Sequence, residues 1–251
     1  MLKFRKSFIY LAAILSFAAV SCQLDDTLYY NNFTMGNIVD GKFVSDQGNI
    51  FNFVENNCKE NITAHKRSIV LCDVLEETDG ATKEYDVRLN QFAPVLEKNA
   101  IAKETASEEE LKEDPIQIEL LWFSGGYINL GVRSHVKKED SQKHLINLAY
   151  TKSEDGVYHL TLCHNAFGEV YSEETANDLI LSPGTSYVSF PLSFIEEDSA
   201  TFKFTWNWYE TPGVGYDFSK VKANSFEHKW KREGFQQVPN TAPMVTSCSI
   251  R

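Results

Sequence analysis

Residues 201–209 read Thr-Phe-Lys-Phe-Thr-Trp-Asn-Trp-Tyr, and this stretch decides the fold class. Large apolar side chains recur there at every second residue: Phe202, Phe204, Trp206 and Trp208. Successive side chains of a β-strand point to opposite faces, so this period places all four on one face. We therefore predict a strand whose aromatic face, including Trp206 and Trp208, packs into the core of a β-structure.

The surrounding sequence predicts further strands separated by turn signals. Alternating or apolar runs occupy 116–122, 127–132, 145–150, 157–163 and 187–192. The turn residues Ser124-Gly125-Gly126 and a Ser-Glu-Asp-Gly segment at 153–156 lie between them. Strands with turns every 8–12 residues or so are typical of a β-sandwich, which we assign to residues 115–230. The pattern weakens after residue 211, so residues 211–251 are expected to wrap around the domain or hang free, and residues 231–251 are expected to form the C-terminal tail.

The N-terminal half predicts a second, smaller β-domain over residues 33–102. Apolar runs at 33–39, 43–44 and 50–54 are separated by Asp40-Gly41 and by Asp46-Gln47-Gly48-Asn49, which are hairpin signals. Longer strands follow at 68–75 and 84–89. About five strands in about 70 residues suggest a small Greek-key barrel.

Residues 103–114 between these regions are almost entirely charged, with six acids and two lysines. Ser107 and Glu110 have the spacing of a capping box, which predicts one or two helical turns. We interpret this stretch as a short, solvated, acidic helical linker that hinges two domains.

The N-terminus predicts export and lipidation. Residues 1–21 combine a basic start with a short apolar run and end in small residues, as a secretory signal does. Cys22 follows directly, and the arrangement resembles a bacterial lipobox, in which that cysteine is acylated and anchors the protein by lipid to the outer membrane. Residues 22–32 would be a tether, and Asp25 and Asp26 resemble a surface-export signal.

Composition excludes some partners. The chain carries 24 Lys and Arg against 35 Asp and Glu, a formal net charge of −11. The barrel region 31–100 is itself acidic, with seven basic and 11 acidic residues. Nucleic acids require a basic footprint, so we expect none as a partner, even though barrels of this kind often bind oligonucleotides.

Taken together, these features resemble the NigD-like lipoproteins of Bacteroidota over residues 22–230. The hairpin from Trp122 to Leu130 carries the resemblance in the second domain. In the first domain it is carried by residues 35–38, the turn at 46–49, Arg67, Tyr85–Val87 and Val95–Leu96. The resemblance implies an OB-like N-terminal barrel followed by a C-terminal β-sandwich, and it implies no biochemical activity.

Candidate site residues are few. Tyr209, Tyr216 and Phe218 flank a Pro- and Gly-containing segment at 211–215 and are candidates for ligand contact, because exposed aromatic rings stack on sugars. Thr27 and Ser199 lie in tripeptides that resemble Bacteroidota O-glycosylation sites. Six scattered histidines are expected to be half-buried or exposed. No residue spacing indicates a metal or a cofactor.

Four cysteines remain after Cys22, namely Cys58, Cys72, Cys163 and Cys248, and three pairings are open. Cys72 and Cys163 lie in predicted strands, where buried thiols are the simpler interpretation. The leading functional hypothesis is a non-enzymatic lipoprotein that binds a protein or glycan through β-domain loops. The alternatives are an envelope hydrolase with a carboxylate pair assembled across strands, and a bacteriocin-immunity-type protein suggested by the family's name.

Overall fold

The structure, a computed structural model, describes residues 33–59, 61–62, 66–211 and 215–232. Cys22, Asp25, Asp26, Thr27 and Cys248 lie outside these ranges. Almost all of the described regular structure is β. Within these ranges, no helix has the length and hydropathy needed to cross a bilayer.

The first five strands form a closed barrel in the order β1-β2-β3-β5-β4. Their bounds are β1 (Thr34–Val39), β2 (Lys42–Ser45), β3 (Ile50–Asn56), β4 (Arg67–Asp79) and β5 (Glu84–Pro94). Asp40 and Gly41 both have positive φ between β1 and β2, as the predicted primed hairpin turn requires. Phe43, Phe51 and Val87 are fully buried inside the barrel.

The remaining strands form the β-sandwich. They are β6 (Leu96–Glu97), β7 (Ile101–Ala102), β8 (Gln117–Ser124), β9 (Tyr127–Arg133), β10 (His135–Lys137), β11 (Leu145–Lys152), β12 (Val157–Asn165), β13 (Leu179–Leu181), β14 (Ser186–Pro191), β15 (Ser199–Glu210) and β16 (Asp217–Lys231). A five-stranded sheet, β16-β15-β12-β11-β7, accompanies a four-stranded sheet, β6-β14-β9-β8, and β10 pairs with β13 separately. The predicted all-β fold, with a barrel before a sandwich, is confirmed.

The aromatic face of β15 packs as its sequence predicts. Phe202 and Phe204 are fully buried in the sandwich core, and Trp206 packs against the same cluster while partly buried. Trp208 is 6% exposed. Truncating a side chain such as Phe204 would leave a cavity between the sheets, so this face is a main source of the sandwich's stability.

The predicted helical linker is wrong. Ser107 and Glu110 do form a capping box: the Ser107 backbone N–H donates to Glu110 Oε2 at 2.9 Å, and the Glu110 N–H donates to Ser107 Oγ at 3.3 Å. Only turns follow, because the sandwich uses the next backbone groups. The His164 N–H donates to the Lys112 carbonyl, the Asp114 N–H donates to the His164 carbonyl, and Glu113 bridges to β12.

The chain enters the sandwich before the acidic stretch. β6 pairs in parallel with β14, and β7 pairs in parallel with β11, so Leu96 to Ala102 belong to the two sandwich sheets. The sequence pattern instead predicts that these residues belong to the barrel, with the domain boundary at 102. The structure differs because these two-residue strands are too short to carry a pattern of their own.

β16 shows that the sequence after residue 211 was also interpreted incorrectly. Residues Asp217–Lys231 form a 15-residue strand paired with β15, and residues 233–251 lie outside the described ranges. Its inward positions hold Lys222, Asn224 and His228 as well as Phe226 and Trp230. As the end strand of its sheet, β16 is only partly covered, and its polar inward residues hide the apolar alternation.

A small apolar cluster joins barrel and sandwich. Met35 and Ile69 from the barrel pack with Trp122 and Tyr187 from the sandwich. Val95, in the segment that connects the two domains, belongs to the same cluster. The Trp122 and Tyr187 rings meet edge to face, with centroids 6.4 Å apart. These side chains are almost completely buried, so the two domains share a packed contact instead of a solvated hinge.

A buried ion pair lies beside this cluster. Arg67 binds Asp46 with two parallel hydrogen bonds of 2.7 and 2.8 Å, and the two side chains are 0% and 2% exposed. The Arg67 guanidinium also donates to Asn129 Oδ1 at 2.9 Å and to Ser189 Oγ at 3.1 Å. Ser124 donates to the Asp46 carboxylate at 2.5 Å.

This network, which we call the junction ion pair, connects two barrel residues to three strands of one sandwich sheet. The Tyr127 ring completes it, since its centroid lies 3.9 Å from the Arg67 guanidinium carbon. Because buried charges need complete hydrogen bonding, the network favours one orientation of the two domains over others.

Candidate functional site

The sequence-predicted aromatic residues do meet in the structure. The rings of Tyr209, Tyr216 and Phe218 contact one another, with centroids 5.1 Å apart for Tyr209–Phe218 and 5.7 Å for Tyr216–Phe218. Trp208, Tyr171 and His135 complete the group of rings. The three residues that the sequence gives as candidates for ligand contact therefore lie in one aromatic cluster.

This cluster is mostly packed inward, which corrects the expectation for Tyr209. Tyr209 is 3% exposed, and its hydroxyl accepts from the Tyr171 backbone N–H at 3.1 Å and donates to the Tyr171 carbonyl at 3.2 Å. Burial raises the pKa of Tyr209 to about 12. Tyr216 is 38% exposed and Phe218 is half-buried, so these two alone remain candidates for ligand contact.

A larger concave surface lies at the other end of β15 and β16. It is a cleft of about 730 Å³ between the Ser124-Gly125-Gly126 turn, the first residues of β15 and the last residues of β16. Leu192 and Ser193, after β14, contribute to it, and the Leu192 N–H donates to the Gly126 carbonyl at 2.8 Å. We call this surface the end cleft. At about 3.3 Å per residue of strand, it lies about 26 Å along β15 from Trp208.

The end cleft is cationic in an acidic protein. Lys229, Lys231 and Arg232 line it, and its lining contains no Asp or Glu. Arg232 is held in place by Asp198, with a distance of 3.1 Å from Nε to Oδ1, and donates to the carbonyls of Ile195 and Glu197. Lys229 and Lys231 are exposed, and in the described part of the chain neither forms an ion pair. Their charges are available to an anionic ligand.

Aromatic rings pack against one another at the base of the end cleft. Phe123 stacks on His228 with centroids 4.3 Å apart and on Phe202 at 5.6 Å. Trp230 packs on Phe202 and is 8% exposed. These contacts pack the base of the cleft before any ligand binds, and a preformed surface loses little entropy on binding.

The lining lacks the carboxylate pair that the hydrolase hypothesis requires. The lining residues include no Asp, Glu, His or Cys that could act as a general acid or base. Ser124 donates its hydroxyl proton to Asp46 in the junction ion pair, so this serine is a structural contact. The hypothesis of a carboxylate pair finds no support in this cleft.

Sequence reasoning missed the end cleft, although one signal was present. Residues 229–232 read Lys-Trp-Lys-Arg, a local reversal of charge in an acidic chain. That run was assigned to the domain end and tail. Among the other predicted positions, Ser199 is exposed at the start of β15 and lines the end cleft, whereas Cys22, Asp25, Asp26 and Thr27 lie outside the described residues.

Three histidines are buried, against the expectation of exposed or half-buried ones. His135, His144 and His164 are 4%, 0% and 1% exposed. His144 Nδ1 lies 3.0 Å from His164 Nε2, and His144 Nε2 lies 3.2 Å from Glu169 Oε2. In the described ranges, no group of His, Cys, Asp and Glu has a geometry that could hold a metal ion.

The hydrogen bonds of these histidines fix where their protons lie. His164 Nδ1 faces the carbonyls of Asp114 and Pro115 at 3.2 and 3.1 Å, so it carries a proton and Nε2 is an acceptor. His144 Nδ1 must then donate to His164. Burial lowers the pKa of His144, an effect that the neighbouring Glu169 carboxylate opposes.

Burial makes two of these histidines hard to protonate. It lowers the pKa of His135 to about 4, helped by Arg133, and it lowers the pKa of His164 to about 3, helped by His144. The unfolded chain, with its ordinary pKa near 6.5, then binds more protons than the folded protein. The stability that these two histidines contribute is therefore fully present above about pH 6.5, and it is lost as the pH falls through their folded-state pKa values of about 4 and about 3.

We expect the midpoint urea concentration for unfolding of the wild type to decrease as the pH is lowered from about 7 to about 5. His135→Phe keeps the ring contacts with Trp208 but removes one titrating group, so its midpoint should depend less on pH. His159→Gln, at an exposed position, should leave the pH dependence unchanged. An identical slope for His135→Phe and the wild type would contradict this interpretation.

The cysteines agree with the simpler prediction. Cys72 and Cys163 are buried thiols in β4 and β12 and form no disulfide. Burial raises the pKa of the Cys163 thiol to about 11, and it raises the pKa of Cys72 further. Such thiols are unreactive and contribute mainly by packing.

Fold and geometry thus define a class of two-domain, all-β proteins in which a small closed barrel is joined to a β-sandwich by a buried contact. Residues 99–218 match the family model of the NigD-like C-terminal beta sandwich domain. This match confirms the resemblance to NigD-like proteins that was found in the sequence. A comparison with curated proteins gives no match.

Solved structures share the architecture at low identity. A NigD-like immunity protein from Bacteroides caccae is 17% identical with a TM-score of 0.54, over 78% of this chain and 95% of that one. A protein of unknown function from Bacteroides vulgatus is 18% identical with a TM-score of 0.57, over 86% and 96%. A candidate lipoprotein from Bacteroides fragilis is 14% identical with a TM-score of 0.55, over 80% and 99%. At these identities the likeness concerns the fold alone.

Proposed function

We propose that this chain is a non-enzymatic, lipid-anchored protein of the bacterial envelope that binds a partner, protein or glycan, at the end cleft. The observation that carries the proposal is the cleft itself: a rigid, aromatic-supported surface lined by Lys229, Lys231 and Arg232, with no Asp or Glu on its lining. Concave surfaces with a few well-placed charges are the usual binding sites of rigid β-frameworks.

The lipid anchor is supported by the sequence around Cys22 and by the candidate lipoprotein among the structural neighbours. We expect a fatty-acid analogue fed to the producing cells to label the wild type and not Cys22→Ala. Labelling that persists in Cys22→Ala would contradict the anchor. Replacing Asp25 and Asp26 together with Ala should protect the protein from protease added to whole cells, if it is exported to the outer surface.

The binding proposal is tested by reversing the cleft's charge. Lys229→Glu with Lys231→Glu should weaken retention of the partner from native envelopes by at least about tenfold, a loss of about 1.4 kcal/mol. Lys59→Glu with Lys83→Glu is the matched control, because it makes the same charge change on exposed barrel positions. The control should retain the partner as the wild type does.

Equal retention by both double variants would exclude the end cleft as the binding surface. Circular dichroism and urea midpoints of the two variants should match the wild type, since Lys229 and Lys231 form no ion pair in the described part of the chain. A screen of anionic and neutral glycans with the same three proteins tests the glycan alternative directly.

An immunity-type role is the second candidate function, because one structural neighbour is named a NigD-like immunity protein. In this role the partner is a bacteriocin that is intercepted at the envelope. A susceptible strain that expresses the wild type should then survive bacteriocin exposure better than one that expresses the Lys229→Glu, Lys231→Glu variant. Equal killing of both strains and of an empty control would remove this candidate.

A further inference from the structure

Within the described residues, the outer edge of β16 is an open strand edge. β16 is the last strand of its sheet, and among the described residues no strand pairs with its other side. Its pairing with β15 runs in continuous register from Val221 opposite Tyr209 to Lys231 opposite Ser199. Over this length, every second residue directs its backbone N–H and C=O groups away from β15, and these groups form a template for a further strand.

This edge has the opposite charge to the rest of the protein. Residues 217–232 hold five basic and two acidic side chains, in a chain whose net charge is −11. Asp217 pairs with Lys220 at 3.5 Å, and Glu227 lies opposite Lys203 in the register. Lys222, Lys229 and Lys231 form no ion pair in the described part of the chain.

The charge restricts what can add to the edge. Edge lysines normally prevent association of like edges, and a second copy of this chain would bring further lysines towards these. An acidic strand meets no such barrier, because each of its carboxylates gains an opposite charge. Outward-facing Val221, Ala223 and Ser225 are small, so they leave room for the side chains of an added strand.

We propose that an extended acidic segment of a partner protein adds to the outer edge of β16 as a further strand and places its carboxylates against Lys229 and Lys231 at the end cleft. This inference rests on the proposed function and names the partner's class: a polypeptide that supplies an acidic strand. The backbone ladder gives affinity, and the lysines select the charge.

The test uses a synthetic peptide of about nine residues, which spans about 30 Å as a strand, with glutamate alternating with threonine or valine. The matched control carries N-methyl groups on alternate backbone nitrogens, so it keeps the charge but cannot form the ladder. The purified full chain should bind the parent peptide and lose at least about tenfold in affinity for the methylated one. Amide exchange in β16 should slow only with the parent peptide.

The double substitution Lys229→Glu, Lys231→Glu should lower the affinity for the parent peptide by at least about tenfold. The control substitution Lys59→Glu, Lys83→Glu should leave this affinity unchanged. Equal binding of both peptides would show attraction by charge alone and would overturn strand addition. Strand addition would also be overturned if the protein does not bind the parent peptide, whether or not it binds the sulfated polysaccharide heparin. In these cases the proposed function still stands if the envelope partner requires the cleft lysines; it fails separately if that partner is retained by the cleft variant.

Discussion

Replacing Arg67 with methionine is expected to destabilise the protein by about 3–5 kcal/mol, because the Asp46 carboxylate would remain buried without its partner. The Arg67 side chain is 0% exposed and supplies both hydrogen bonds of the ion pair and those to Asn129 and Ser189. Urea unfolding followed by tryptophan fluorescence measures the loss, since Trp122 lies in the adjoining apolar cluster.

Two further variants make this result interpretable. Lys66→Met removes a charge from the neighbouring residue, whose side chain is 67% exposed and pairs with Glu97 at 3.3 Å, so it should cost less than about 1 kcal/mol. Arg67→Met combined with Asp46→Leu removes both buried charges and should recover much of the stability. A cost for Arg67→Met no larger than that for Lys66→Met would refute a stabilising role of the junction ion pair.

Gly125→Ala is expected to cost at least about 3 kcal/mol, because strain and a direct clash combine there. Gly125 has φ +57°, and a Cβ atom at this position would lie 2.3 Å from Asp46 Oδ1. The carboxylate would have to move away from Arg67 and Ser124, which breaks the hydrogen bonds at the junction. Thermal and urea unfolding measure the effect.

Gly126→Ala is the matched control for this prediction. Gly126 also has positive φ, at +80°, but a Cβ atom there would have no neighbour within 4 Å. Its substitution should therefore cost only the backbone strain, about 1–2 kcal/mol. Equal costs at Gly125 and Gly126 would show that the contact with Asp46 contributes nothing.

The sequence predicted the fold where local periodicity and packing agree. The strict period of two at Phe202 and Phe204 indicated a buried face, and both side chains are fully buried. Asp40-Gly41 indicated a hairpin turn, and both residues have the positive φ that the turn needs. These signals depend on neighbouring residues only, so one sequence is enough to read them.

The resemblance to the family rested on residues that meet at the domain junction. Met35, Val95 and Trp122 belong to the apolar cluster there, and Arg67 and Asn129 belong to the junction ion pair. Their positions in sequence gave no hint that they touch, because they come from both domains. Part of the motif therefore lies where the barrel and the sandwich are joined.

Tertiary contacts account for the incorrect predictions. The capping box at Ser107 and Glu110 forms as predicted, yet the next backbone groups bond to His164 instead of continuing a helix. Tyr209 was expected at the surface, and its hydroxyl is instead satisfied inside by Tyr171. Local propensity cannot anticipate a hydrogen-bond partner that lies about 40 residues or more away in sequence.

The end cleft could not have been assembled from sequence either. Its lining comes from the turn at Gly125, the turn at Gly156, the segment at Ser193 and one end of the β15–β16 pair. Only the basic run at 229–232 was visible as a local anomaly. Knowing that this run faces a concave surface requires the fold.

Photo-crosslinking in living cells tests the central claim, that the end cleft contacts a partner, most directly. A photoreactive amino acid would be placed at Ser193, which is exposed on the cleft lining, and separately at Lys83, which is exposed on the barrel. We expect a discrete crosslinked product from position 193 that disappears when Lys229 and Lys231 are also replaced by Glu, and no such product from position 83. No product at position 193, or the same product at both positions, would contradict the claim.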